Sequence, residues 1–343
     1  MDASALTESK AGALGAAFTS ARAAARTAFY AGATVAAARL AKPLGVAERE
    51  YGRHALRDAF ELHREVLARP GMNDVMRKAE REDLATLPFF LASVPLDLAR
   101  LVTRTRGGKK RGAVRAQDDF PYPDYYLNDF HHQSNGNLSL RAALTYEWQI
   151  RFLFMGTNRI MRQALIDEVP LGDRLELLDV GCGTASWLTQ ARLQDRRHRV
   201  TGIDLSPHYL GVATAFRGKE ASFRQMDAAK LDPAWTGLFD AVTCIWLFHE
   251  LPPHVTRAVT AEIARVLRPG GRLYFMDAAQ PCDVPDAEEV VVGISEVFRD
   301  YMNEPYFRLY QGIDLPDLFT EHGLTIEKTR RCYASKVVVA RKA

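Results

Sequence analysis

Asp179, Gly181, Gly183 and Asp204 are the residues whose types and spacing most directly imply chemistry. Asp179 and the glycines lie in Leu175-Glu-Leu-Leu-Asp-Val-Gly-Cys-Gly-Thr-Ala185, an apolar run broken by a Gly-x-Gly turn. Asp204 ends a second apolar segment, Arg199-Val-Thr-Gly-Ile-Asp204, about 20 residues beyond the glycines. Glycines let the backbone approach a ligand closely. An acid at that distance is placed to accept hydrogen bonds from two ribose hydroxyls, so the pattern predicts nucleoside binding. A dinucleotide site would carry a third Gly or Ala three residues after Gly183, where this chain has Ser186. Asp179 would also repel a pyrophosphate, whereas a cationic amino-acid group would suit it, directly or through water.

A second group could act on a substrate. His249 and Glu250 end the apolar run Phe239–Leu251, at the strand edge where open α/β sheets bind ligands. Histidine titrates near neutral pH, which makes His249 the first general-base candidate, followed by Glu250 and His132. Tyr125, Tyr126, His131 and His132 lie in a segment expected to cover the site. Adjacent side chains in extended chain face opposite ways, so at most one of the two histidines would point inward. Glu304, Tyr306 and Tyr310 fall after the fifth strand, where an insertion would shape the substrate end. No spaced third ligand accompanies the histidines, and no metal is expected.

The elements needed to position these groups follow in order. After the first strand, a helix is predicted from Ala185 to Leu193, and the second strand comes next. Phe223-Arg-Gln-Met-Asp-Ala228 places an acid after a third strand, and Phe239–Leu251 reads as a fourth. Arg265-Val-Leu-Arg-Pro-Gly-Gly-Arg-Leu-Tyr-Phe-Met-Asp277 is a helix end, a turn and a fifth strand. Two last strands are expected in Leu324–Thr329 and Ala334–Arg341. The series resembles the class I S-adenosylmethionine (SAM) methyltransferases over roughly residues 140–343.

That resemblance implies an α/β, Rossmann-like seven-stranded sheet with SAM as cofactor. It assigns Asp179, Gly181, Cys182 and Gly183 to the amino-acid end, and Asp204 with Leu205 to the ribose. Asp227 would receive the adenine amino group between Met226 and Ala228, and Ile245 would lie under the methionine moiety. Residues 120–139, His249-Glu-Leu-Pro252 and Asn303-Glu-Pro-Tyr-Phe307 resemble a narrower group of small-molecule methyltransferases of bacterial and plastid type. Their likeness implies methylation of a small, hydrophobic or aromatic acceptor on oxygen, carbon or nitrogen, with Tyr126, His131, Tyr306 and Tyr310 around it. The rivals are a non-catalytic module that binds SAM or its demethylated product, and an NAD-dependent oxidoreductase. Amino-adenine methyltransferases are set aside because the fourth strand ends Leu247-Phe-His-Glu250, without their Pro-Pro pair. Cytosine-C5 enzymes are set aside because Pro281-Cys282 lacks a partner motif and a basic binding module.

Bulk properties agree with a soluble globule of 343 residues, 47% hydrophobic and 25% charged. A net charge of +3 does not imply a nucleic-acid partner. Cys182, Cys244, Cys282 and Cys332 have no metal or CxxC spacing and read as free thiols in a reducing, cytoplasmic setting. Residues 1–112 are read as an N-terminal helical cap region. Its first 47 residues are Ala-rich with Arg22, Arg26 and Arg39, a plain helix or tail with a surface-membrane helix as the alternative. A helix is expected within 48–81, and a buried helical pair in Leu87–Val102, which two prolines and an aspartate interrupt, with the floor of an apolar substrate pocket or contact with a bilayer as alternatives. The basic run Arg104–Gly112 reads as a linker with lipid head groups as its alternative partner. Residues 113–139 form the lid segment and 140–343 the methyltransferase-like domain, with an insertion at about 278–312. Asn135-Gly136 predicts a turn, Asn137 or Ser139 an N-cap, and Leu140–Leu165 one long amphipathic helix. The sequence sets no oligomeric state.

Overall fold

A computed structural model describes residues 46–107, 114–133, 135–172, 174–194, 196–284, 292 and 303–343. Seven strands form one sheet: β1 (Glu176–Val180), β2 (Arg199–Asp204), β3 (Ala221–Gln225), β4 (Phe239–Ile245), β5 (Leu267–Ala278), β6 (Leu324–Cys332) and β7 (Ser335–Lys342). Their order is β3-β2-β1-β4-β5-β7-β6. The first five strands are mutually parallel, and β7 runs antiparallel to both neighbours. The order reverses between β1 and β4, which opens a crevice at their carboxyl ends. Alternation along β1 sends Leu178 and Val180 into one apolar cluster and Leu177 into the other, on the face that Asp179 shares.

The helices before the sheet are α1 (Val46–Leu67), α2 (Met72–Leu84), α3 (Leu87–Gly107), α4 (Leu140–Leu153) and α5 (Asn158–Ile166). Within and after it come α6 (Trp187–Arg192), α7 (Pro207–Arg217), α8 (Pro253–Val266), α9 (Phe307–Gln311) and α10 (Leu315–Glu321). Ser139 is the N-cap of α4, its hydroxyl accepting from Ala142 N at 3.1 Å. The single helix expected over 140–165 is broken instead. Met155 and Gly156 both adopt positive φ, and Gly156 N reaches back to Arg151 O at 2.7 Å. A glycine ends the helix by taking the left-handed conformation that closes its last carbonyls. The pair expected in Leu87–Val102 is also corrected. It is one helix, with Pro88 in its first turn and Pro95 inside, and much of its apolar surface is exposed. The readings of residues 1–45, of the basic run after Gly107, and of residues 285–291 and 293–302 in the insertion lie outside the described residues.

The helices before residue 112 do not stand apart from the sheet. Leu62, Val66, Leu67, Met72 and Met76 belong to the same buried cluster as Leu177 and Val200. A charge network reinforces that packing. Asp83, at the end of α2, accepts from Arg159 at 2.6 and 3.1 Å and also pairs with Arg151. Arg159 is 0% exposed, so its charge has no solvent to fall back on. Nearby, Glu82 pairs with Arg217 of α7 and accepts from Thr189 of α6 at 2.8 Å. Removing one partner of a buried ion pair leaves the other charge desolvated, at a cost of about 3–5 kcal/mol. Asp83→Ala should therefore lower unfolding free energy by about that amount in urea titration. A loss below about 1 kcal/mol would show that these arginines find other partners.

Candidate functional site

The crevice at the β1/β4 reversal is lined by the ends of β1, β2 and β4 and by the residues that follow them, and it is open to solvent. Gly181 and Gly183 form its β1 edge with φ of +65° and +52°. A Cβ on Gly181 would meet the Leu247 side chain at 3.0 Å, so the tight turn requires glycine there. Gly183 N donates to Asp204 Oδ2 at 2.9 Å, and Ser206 N donates to Oδ1 at 2.8 Å. Asp204 is thus held at the tip of β2 facing the turn. Burial raises its pKa, against the pull of those N–H groups.

Below the turn a smaller hollow is lined by Asp179, Arg162, Thr184, Ser186 and Trp246. Asp179 accepts from Trp187 Nε1 at 2.8 Å and Thr243 Oγ1 at 2.7 Å. Burial nevertheless lifts its pKa to about 6, helped by the nearby charge of Asp204. A cation placed there would restore the ionised form. Arg162 offers the complementary charge. It is fixed by Glu147 at 2.8 Å and stacks over the Trp246 ring at 4.8 Å.

The other end of the crevice carries Tyr125, Leu251 and Glu250. The Glu250 carboxylate has no hydrogen-bond partner among the described residues, and burial raises its pKa. Charges on His131 and His249 oppose that rise, while Glu304 and Asp204 add to it. Each imidazole has its own carboxylate. His249 Nδ1 lies 2.6 Å from Asp277 Oδ1, and His131 Nε2 lies 2.9 Å from Glu304 Oε1. Asp277, wholly buried, also accepts from Phe248 N at 2.8 Å, which fixes the turn bearing His249. Burial would lower the His249 pKa, but the charge and hydrogen bond of Asp277 outweigh it and raise it to about 10. His131 is likewise raised by Glu304 against the effect of burial. Asn303 binds Asp129 O and Oδ1 at 2.9 Å, so residues 303–304 clasp residues 129–131.

The structure gathers most, but not all, of the expected site. Asp204, Leu205, Met226, Ala228 and Ile245 line the crevice with both glycines, and Cys182 borders the smaller hollow. The Cys182 thiol is buried and its pKa pushed up, so it packs rather than reacts. Asp227 is not part of the lining; its Oδ1 accepts from Ala229 N at 2.9 Å and shapes the turn. Tyr126 lines the crevice beside Asp204 and Leu205. Tyr310 is corrected to a core residue, 0% exposed, its hydroxyl donating to Ala278 O at 2.8 Å. Tyr306 lies behind Tyr125, edge-on at 6.5 Å. His132 falls in the 130–132 turn. The expectation that His249 titrates near neutrality is overturned by Asp277, which keeps the ring charged. Sequence reasoning missed Asp277 and Arg162. A lone acid closing the apolar run Leu273–Met276 was the available signal for the first; Arg162, inside a helix pattern, had none.

Residues 177–271 match the family model of a methyltransferase domain. The chain is 37% identical over 102 residues to a ubiquinone biosynthesis O-methyltransferase of Dechloromonas aromatica, covering 29% of this chain and 42% of that protein. It is 32% identical over 142 residues to a demethylmenaquinone methyltransferase of Deinococcus radiodurans, covering 40% and 58%. The chain thus spans about half the length of the curated relatives it matches. A SAM-dependent methyltransferase of Aquifex aeolicus superposes on 53% of this chain and 89% of its own, with 15% identity and a TM-score of 0.40.

The His249–Asp277 pair generates a pH-dependent prediction. A histidine pKa raised from 6.5 to about 10 gives stability that is fully present below about pH 6.5 and lost as pH rises through about 10. Asp277→Asn should cost about 2–4 kcal/mol in urea unfolding near pH 6, and clearly less at about pH 10.5. Equal losses at both pH values would mean that His249 is neutral throughout.

Proposed function

We propose that this chain, which carries a class I methyltransferase domain, transfers a methyl group from SAM to a hydroxyl of a small aromatic acceptor of the quinol type. The observation that carries the reading is the position of Glu250, an unpaired carboxylate with a raised pKa at one end of a crevice whose other features suit SAM. The names of the two curated relatives, an O-methyltransferase of ubiquinone biosynthesis and a demethylmenaquinone methyltransferase, favour an acceptor of the quinol type, and the first favours oxygen.

The residues present fit the cofactor group by group. Asp204 would accept from the ribose hydroxyls, with Leu205 and Tyr126 alongside. Met226 and Ala228 would flank the adenine. The hollow holding Asp179 and Arg162 offers a carboxylate for an ammonium group and a guanidinium for a carboxylate. Asp179, Asp204 and Glu250 all have raised pKa values, and a bound cation would relieve each of them. An NAD pyrophosphate would meet the same acids as repulsion.

When bound, SAM supplies an electrophilic methyl group on a sulfonium. The chain's part is to hold the acceptor oxygen in line and to take its proton. Glu250 is the acceptor of that proton in this reading. His131 and His249, kept charged by Glu304 and Asp277, flank it and stabilise the oxyanion as it develops. His249 is then an electrostatic and positioning group rather than the base. Residues 113–139 and 303–312 frame the acceptor end, and the division of the chain at 112 and 140 stands as part of this proposal. We also retain a reducing, cytoplasmic setting, since all four cysteines are unpaired. No helix among the described residues is long and apolar enough to cross a membrane.

The test measures release of demethylated SAM with a panel of catechols and hydroquinones. Wild-type turnover should rise with pH through a limb above the ordinary glutamate range. Glu250→Gln should lose that limb and fall in kcat by about 10²–10³-fold, with SAM affinity changed less than about twofold. No turnover with any phenolic acceptor, despite tight SAM binding, would favour a non-catalytic SAM-binding module. A Gln variant as fast as wild type would remove Glu250 from proton transfer.

A further inference from the structure

We propose that α3 docks the protein onto an anionic lipid surface. One side of this helix is already used. Phe90 stacks on Trp148 and Phe152 of α4, with ring centroids 5.9 and 5.4 Å apart, and Ser93 is buried. The side facing solvent should be polar in an ordinary surface helix. Here Pro88, Phe89, Leu91, Val94, Pro95 and Leu96 are all exposed, and no exposed residue from 88 to 96 is polar or charged. Phe89, Leu91 and Leu96 each leave more than half of their surface free. A run of large apolar side chains on a convex helix face is the hallmark of a partner surface.

Charge identifies the partner. Residues 98–117 contain seven Lys or Arg and no Asp or Glu. An apolar helical face followed, beyond Asp97, by a basic run matches the two signals of a peripheral membrane anchor, acyl-chain burial and attraction to anionic head groups. The position of α3 gives this docking a use. The helix packs against the 130–132 turn, which carries His131 at the acceptor end of the crevice. A bilayer against α3 would therefore lie beside the point where an apolar acceptor enters. That use rests on the proposed methyl transfer; the docking itself does not.

The experiment uses the full chain and no acceptor, so its result is independent of turnover. Vesicles of phosphatidylcholine, alone or with about 30% phosphatidylglycerol, are sedimented with wild type, with Leu91→Glu/Leu96→Glu, and with Lys109→Glu/Lys110→Glu/Arg111→Glu. Wild type should bind the anionic vesicles at low salt, and about tenfold more weakly to phosphatidylcholine alone or in 0.5 M NaCl. Each variant should lose about tenfold or more of the anionic binding while keeping wild-type affinity for demethylated SAM, which reports an intact fold. No sedimentation of wild type with anionic vesicles would overturn the proposal, as would unchanged binding by either variant. A dimer that Leu91→Glu/Leu96→Glu splits, without vesicle binding, would overturn it in favour of a second copy of the chain.

Discussion

Three carboxylates, Asp179, Asp204 and Asp277, stand near or at the carboxyl ends of β1, β2 and β5, and the site depends on keeping them where water is scarce. A desolvated carboxylate is costly unless hydrogen bonds or a cation compensate. The structure compensates each differently. Asp277 has a complete set of partners, including the His249 imidazole and two backbone N–H groups. Asp204 is satisfied by backbone N–H groups yet keeps a raised pKa, and Asp179 stays raised in spite of an indole and a hydroxyl. The crevice is therefore short of positive charge where a cofactor would lie. A cationic nucleoside meets that need better than a dinucleotide does.

The surrounding architecture exists to hold those acids. The strand reversal between β1 and β4 opens the crevice, and two positive-φ glycines let its rim turn without side chains intruding. The helices ahead of the sheet contribute more than a cover. Asp83 pairs with Arg159 and Arg151, and Glu82 with Arg217, so that none of these arginines sits in the core beside α6 without a carboxylate. At the Glu250 end of the crevice, Asn303 and Glu304 tie the residues after β5 to the 129–131 turn. Two distant parts of the chain thereby meet at Glu250.

The strands along the chain, the glycine turn and the Asp204 position were legible because each depends on local periodicity or on fixed spacing. Residues 175–185 and 199–204 needed nothing beyond their own pattern. The substrate end was less legible, because its contacts join residues far apart in sequence. His249 and Asp277 are 28 positions apart and meet because β4 pairs with β5. That pairing is readable, but which side chains bond across it is not. Tyr310 has the composition of a substrate-facing aromatic and the burial of a core residue, a difference that only packing decides. The break at Met155-Gly156 had a visible signal, a glycine within a helical pattern. The exposure of α3 had none, since an apolar helix reads the same whether it lies under other helices or against lipid.

The central claim, that the crevice holds a cationic nucleoside with its sulfur directed at Glu250, is tested most directly by a crystal structure of the chain with demethylated SAM. The account predicts ribose hydroxyls on Asp204, the ammonium group near Asp179, the carboxylate toward Arg162, and the sulfur facing the Glu250 end. A ligand lying with its adenine at Glu250, or bound away from the Gly181–Gly183 turn, would contradict it.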